Sequence, residues 1–212
     1  AAVRAMTRAS LMGAERLLTR CSVAGDGSSG CRLLDMDRDT RVEVLVTRMD
    51  AGGLSSQVEL YGWKDGAMVS RGLTELSAGI TAMSRIRSNY LGGEFSQPAL
   101  YVSSTLADGR RAIDVVSYVD GALTNVSMGD EGVSREIVQG YTEINPTDIN
   151  RDMVVELPSP TLLPTYGESA SSNFWLIDWG QYDQQGNRNH VLTTYHNMSD
   201  GWYLEIPENW RD

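Results

Sequence analysis

The sequence predicts an all-β, mainly antiparallel fold: a propeller-like array of four-stranded units of about 56 residues, with a short N-terminal helix. Three observations predict it. An acidic segment recurs along the chain, an Asp-Gly pair recurs between alternating apolar residues, and the two recurrences keep the same phase. A two-sheet sandwich is the alternative arrangement of the same strands.

The acidic segment reads Asp35-Met-Asp-Arg-Asp-Thr-Arg-Val-Glu43 and again, 113 residues on, Asp148-Ile-Asn-Arg-Asp-Met-Val-Val-Glu156. Halfway between them lies Leu91-Gly-Gly-Glu-Phe-Ser-Gln-Pro98, which keeps the following strand but no acids at the corresponding positions. The second landmark is Trp63-Lys-Asp-Gly-Ala-Met68, matched by Tyr118-Val-Asp-Gly-Ala-Leu123. Asp-Gly between alternating apolar residues is a strong hairpin signal.

One unit then reads as a loop, strands over Val42–Thr47, Val58–Trp63 and Ala67–Ser70, and a fourth strand over Ile80–Arg87. Val58, Leu60 and Gly62 share one strand face, as do Ile113, Val115 and Ser117 in the next copy. The units run roughly over 33–88, 89–145 and 146–212 of a single domain, 1–212, with residues 1–20 as a helical cap. Leu157-Pro-Ser-Pro-Thr-Leu-Leu-Pro164 reads as a Pro-rich joint. A strand pair over Phe174–Tyr182 and His190–Tyr195 is expected to turn at Gln185-Gly-Asn187.

The two acidic loops resemble the Asp-x-Asp-x-Asp-Gly calcium loops of FG-GAP/VCBS-type β-propeller repeats. The segments Asp148–Pro158 and Ser199–Trp210 also resemble uncharacterised secreted or lipid-anchored proteins of gut Firmicutes. The first resemblance implies structural calcium, held by Asp35, Asp37, Asp39 and Glu43 in one loop and by Asp148, Asn150, Asp152 and Glu156 in the other. The second implies an extracytoplasmic, secreted or lipid-anchored protein whose leader is not present in this chain. The pattern departs from the family in one place. The glycine that follows the third acid is Thr40 in one loop and Met153 in the other, at a position that often needs φ > 0. Without calcium, such a loop can be held by Asx-type turns to its own backbone, with Arg38, Arg41 or Arg151 offsetting the acids.

Composition narrows the function further. A net charge of −10 argues against nucleic acid and against an anionic membrane surface. No segment has the roughly 18 uncharged apolar residues of a membrane helix. His190 and His196 form no zinc-type pair, and no nucleophile elbow, Walker loop or dinucleotide fingerprint occurs. The expectation is therefore a non-catalytic, monomeric module at the cell envelope that binds a protein or a glycan. The alternative is a glycan-active hydrolase working with a carboxylate pair. Nine of the sixteen aromatic residues lie in 166–212, which makes Trp175, Trp179, Tyr182, Trp202 and Trp210 the candidate ligand-binding residues. They can equally form the core of the last sheet. Cys21 and Cys31 flank a Gly/Ser-rich segment and are either a disulfide or two free thiols.

Overall fold

A computed structural model describes residues 29–49, 55–93, 97–140, 143–164, 174–198 and 200–210. The helix expected over 1–20 and Cys21 lie outside the described residues. Cys31 is disulfide-bonded, and the chain has one other cysteine. Among the described residues the fold is all-β and antiparallel, and none of its helices is long and apolar enough to cross a membrane.

The strands form three open sheets. The first is the meander β1 (Ser29–Leu34), β2 (Glu43–Met49), β3 (Ser56–Lys64), β4 (Ala67–Glu75). The second is β5 (Ile80–Tyr90), β6 (Pro98–Leu106), β7 (Arg111–Val119), β8 (Ala122–Asn125), with β9 (Ile137–Val138) also paired to β7. The third is β10 (Leu157–Leu162), β11 (Phe174–Tyr182), β12 (Arg188–Asn197), β13 (Trp202–Ile206), followed by a 3-10 turn at Glu208–Trp210.

Both Asp-Gly pairs make the expected two-residue hairpins. Asp65 and Gly66 have φ of 52° and 81°, and Asp120 and Gly121 have 50° and 81°. Positive φ at both central residues is the I′ turn, whose twist matches the strands it joins. It needs glycine, or a short polar side chain such as aspartate that tolerates the left-handed region.

The second sheet lies between the other two. β6 is buried at almost every position, as a strand covered on both faces must be. Its residues Leu100 and Val102 join Ala112 and Val116 of β7 against Leu45, Val58 and Leu60 of the first sheet. The opposite face, with Ala99, Tyr101, Ile113 and Val115, packs on Leu157, Trp175, Ile177 and Trp179 of the third. Each Leu, Ile or Val so buried contributes roughly 1.5–3 kcal/mol. One buried carboxylate pins each interface. Asp114 Oδ1 accepts from the Ser77 hydroxyl at 2.9 Å and from Asn125 Nδ2 at 2.8 Å. Glu136 accepts from the Tyr182 hydroxyl at 2.9 Å and faces Arg188 at 3.3 Å. Burial holds the pKa of both above the ordinary carboxylate range, for Glu136 in spite of Arg188.

Two expectations need correction. The strand over Ile80–Arg87 exists, but it pairs with β6 and so opens the second sheet instead of closing the first. The turn before it, Leu76–Gly79, carries the chain across the interface, with Gly79 at φ 74°. The Pro-rich segment is also a strand, β10, with Pro158 opposite Trp179 and Pro160 opposite Ile177. Prolines at alternate positions are tolerated there because β10 is an edge strand, and their missing N–H groups fall on its unpaired side.

Candidate functional site

The two acidic loops fold alike. In the first, the pairing of Leu34 with Glu43 closes the loop; in the second, a bridge between Thr147 and Glu156 does so over the same span. Arg38 and Thr40 have φ of 61° and 72°, and their counterparts Arg151 and Met153 have 65° and 71°. Thr40 and Met153 thus adopt the glycine conformation that the sequence pattern demands there. The hydrogen bonds repeat as well. Thr40 N–H donates to Asp35 and Met153 N–H to Asp148, both at 3.0 Å. Arg41 N–H donates to Asp39 and Val154 N–H to Asp152, both at 2.8 Å, as Asx-type turns. Glu43 accepts from Met36 N–H and Glu156 from Ile149 N–H, again at 2.8 Å.

These bonds aim carboxylates inward. One oxygen from each of Asp35, Asp37 and Asp39 lies within 4.8 Å of the others, and the same holds for Asp148, Asp152 and Glu156. Two acidic clusters could therefore hold a metal ion. Asn150 adds an amide to the second, its Nδ2 donating to Asp152 at 2.8 Å.

The loops differ in what enters them. Arg71 of β4 reaches into the first, 2.6 Å from Asp37 and 3.7 Å from Glu43. It can do so because β3 has Gly62 beside it; a Cβ there would meet Arg71 Cδ at 2.3 Å. In the second loop Gln181 of β11 enters instead, donating to Asp152 Oδ2 at 2.8 Å and to Glu156 Oε1 at 2.5 Å. The first loop is partly neutralised by a built-in cation, whereas Asp152 and Glu156 meet a neutral amide. Burial raises the pKa of both Glu43 and Glu156, and neighbouring aspartates push them the same way. The Asp152 carboxyl is held below its ordinary value; burial opposes this, but hydrogen bonds from Asn150, Gln181 and Val154 prevail. Arg71 and Gln181 carried no signal in the sequence, because both come from strands distant along the chain.

The middle copy shows what a loop without those acids does. Gln97 is buried and donates to the carbonyl oxygens of Met36 at 2.7 Å and Tyr118 at 3.0 Å. Gly92 N–H donates to the Tyr182 carbonyl at 2.8 Å. The described residues between β5 and β6 thus contact the first acidic loop through Gln97 and the third sheet through Gly92.

The aromatic candidates separate by strand face. Trp175, Trp179 and Tyr182 are 8%, 2% and 1% exposed and belong to the core between the second and third sheets, so the reading of Trp175 and Tyr182 as ligand-binding residues is corrected, and Trp179 reaches the surface only at the floor of a recess. They lie on the face of β11 that the second sheet covers. Trp202 and Trp210 are exposed. The opposite, outward face of the third sheet carries an aromatic row of which the sequence reading named only Trp202: Phe174 stacks on Tyr195 at 5.9 Å, and Tyr195 meets Trp202 at 5.6 Å. Cross-strand register sets this row, since Tyr195 pairs with Leu176 and Leu204, and Asn197 with Phe174 and Trp202. His196 stacks on Tyr203 at 5.2 Å on the other face. His190 instead contacts Asp178 at 2.8 Å.

No known protein family, curated protein or solved structure matches the chain.

Proposed function

We propose that this protein is a non-catalytic interaction module of propeller type, acting outside the cytoplasm and binding a protein or a glycan through its third sheet. The observation that carries the reading is the exposed apolar end of that sheet: Trp202, Tyr203 and Leu204 are 47%, 60% and 50% exposed on one short strand. Exposed aromatic side chains are the usual anchors of protein and sugar interfaces. The propeller reading is supported by three consecutive meanders of four strands, the second with β9 added as a fifth, stacked face on face in sequence order. The disulfide at Cys31 supports an oxidising compartment. The second acidic loop takes structural calcium in this reading, as a hard cation matched to converging carboxylates.

The test is a glycan array together with photo-crosslinking from position 204 to cell-envelope proteins. A specific array signal or crosslinked partner, lost when Trp202 and Tyr203 are both changed to serine, is the expected result. Silence in both assays overturns the proposal.

A further inference from the structure

We propose that the recess between residues 144–151 and the His196–Tyr203 stack is a subsite for a single pyranose ring. It encloses about 320 Å³, at the small end of the range for ligand pockets. The inference rests on the reading of the chain as an interaction module and names one ligand class and place for it.

The recess is amphipathic in the way a sugar is. Tyr203 offers an open ring, 60% exposed and stacked at 16° on His196 behind it. Trp179 and Ile144 form an apolar floor. The rim is polar, with an amide from Asn145, a carboxylate from Asp148 and an exposed guanidinium from Arg151. An apolar ring face with a rim of both donors and acceptors suits a molecule with C–H groups on its faces and hydroxyls at its edge. A purely apolar ligand would strip water from the rim groups without repaying them. An anion would meet Asp148 in a protein of net charge −10.

The walls are held before any ligand arrives. Arg87 donates to the Pro146 carbonyl at 3.1 Å, and Arg111 donates to the Ile144 carbonyl at 2.5 Å and to Asn145 Oδ1 at 3.3 Å. Asn145 Nδ2 donates to the Glu143 carbonyl at 2.8 Å, which fixes the amide and leaves half its hydrogen-bonding capacity for a ligand. On the other wall, Trp179 Nε1–H donates to the Thr194 hydroxyl, and that hydroxyl lies 2.8 Å from His196 Nε2. The indole can only donate, so the threonine oxygen accepts from it, and the bond to His196 runs in the direction the imidazole tautomer sets. This relay fixes the ring on which Tyr203 stacks. A prepared site spends less of its binding energy on ordering side chains.

The experiment is saturation-transfer NMR on the whole chain with the methyl pyranosides of glucose, galactose, mannose and N-acetylglucosamine, each tested against Tyr203→Ala, Tyr203→Phe and Trp202→Ala. At least one sugar is expected to show saturation transfer with a Kd of about 1 mM. Tyr203→Ala should weaken that binding at least tenfold, and Tyr203→Phe, which keeps the ring, should restore it. Trp202→Ala should leave it unchanged, and an unaltered melting temperature shows that each variant is folded. Absence of transfer from all four sugars overturns the subsite. So does transfer that survives Tyr203→Ala and disappears in Trp202→Ala, which would place the sugar on the outward face and leave the interaction-module reading standing.

Discussion

Thr40 and Met153 stand 113 residues apart in two separate loops, yet their backbones have φ of 72° and 71°. Each N–H donates to the first aspartate of its loop at 3.0 Å. A side chain in the left-handed region costs about 1–2 kcal/mol, and more for a β-branched residue such as threonine.

Thr40→Gly and Met153→Gly should therefore stabilise the protein. The relief of strain exceeds the extra chain entropy of glycine, for a net gain of about 0.5–1 kcal/mol each. Urea unfolding measures it. Destabilisation by both variants would mean that the loop geometry does not strain these residues.

Arg71→Met keeps the aliphatic stem over Gly62 and removes the charge beside Asp37 and Glu43. The pair is partly exposed, so the expected loss is about 1–3 kcal/mol at neutral pH, less than for a fully buried pair. The loss should shrink as pH falls through the pKa of Glu43, which burial raises. An equal loss across that range would point to packing instead of charge.

Calcium should act through the second loop. Millimolar calcium is expected to raise the melting temperature of the wild type, in proportion to binding by the folded state alone. Asp152→Asn should remove the shift and Asp37→Asn should not, because Arg71 already faces Asp37. Arg71→Met should enlarge the shift by freeing the first loop. A response unchanged by Asp152→Asn would exclude the second loop as the site.

The pH profile has a defined sign. The pKa of Asp114 is raised in the folded state above its ordinary 3.8, and those of Glu43, Glu136 and Glu156 above 4.5, chiefly by burial. The folded protein then binds protons more tightly than the unfolded chain, so stability falls as pH rises through that window and grows on mild acidification from neutral. Asp152 and Asp183 are shifted the other way, and their contribution is lost below about 3.8. Thermal melts should accordingly show a maximum between the two windows. Asp114→Asn should flatten the acid-side gain, and Asp114→Ala, which also leaves Ser77 and Asn125 without their shared acceptor, should in addition cost about 1–3 kcal/mol at neutral pH. A profile that Asp114→Asn leaves unaltered would remove Asp114 as a source of the slope.

The sequence by itself determined whatever is decided within a few neighbouring residues. Asp65-Gly66 and Asp120-Gly121 can make only a tight turn that fits strand twist, and both do. The spacing of Asp35–Glu43 and Asp148–Glu156 dictates loops whose acids bind their own backbone, and the missing glycines even mark where φ is positive. The tertiary structure decided which sheet β5 joins, that Arg71 fills one acidic loop and Gln181 the other, and that β11 buries Trp175, Trp179 and Tyr182 while β13 exposes Trp202, Tyr203 and Leu204. Alternation along a strand says that two faces differ, but not which of them a neighbouring sheet will cover. That follows from how the sheets stack, and the contacts involved join residues far apart in the chain.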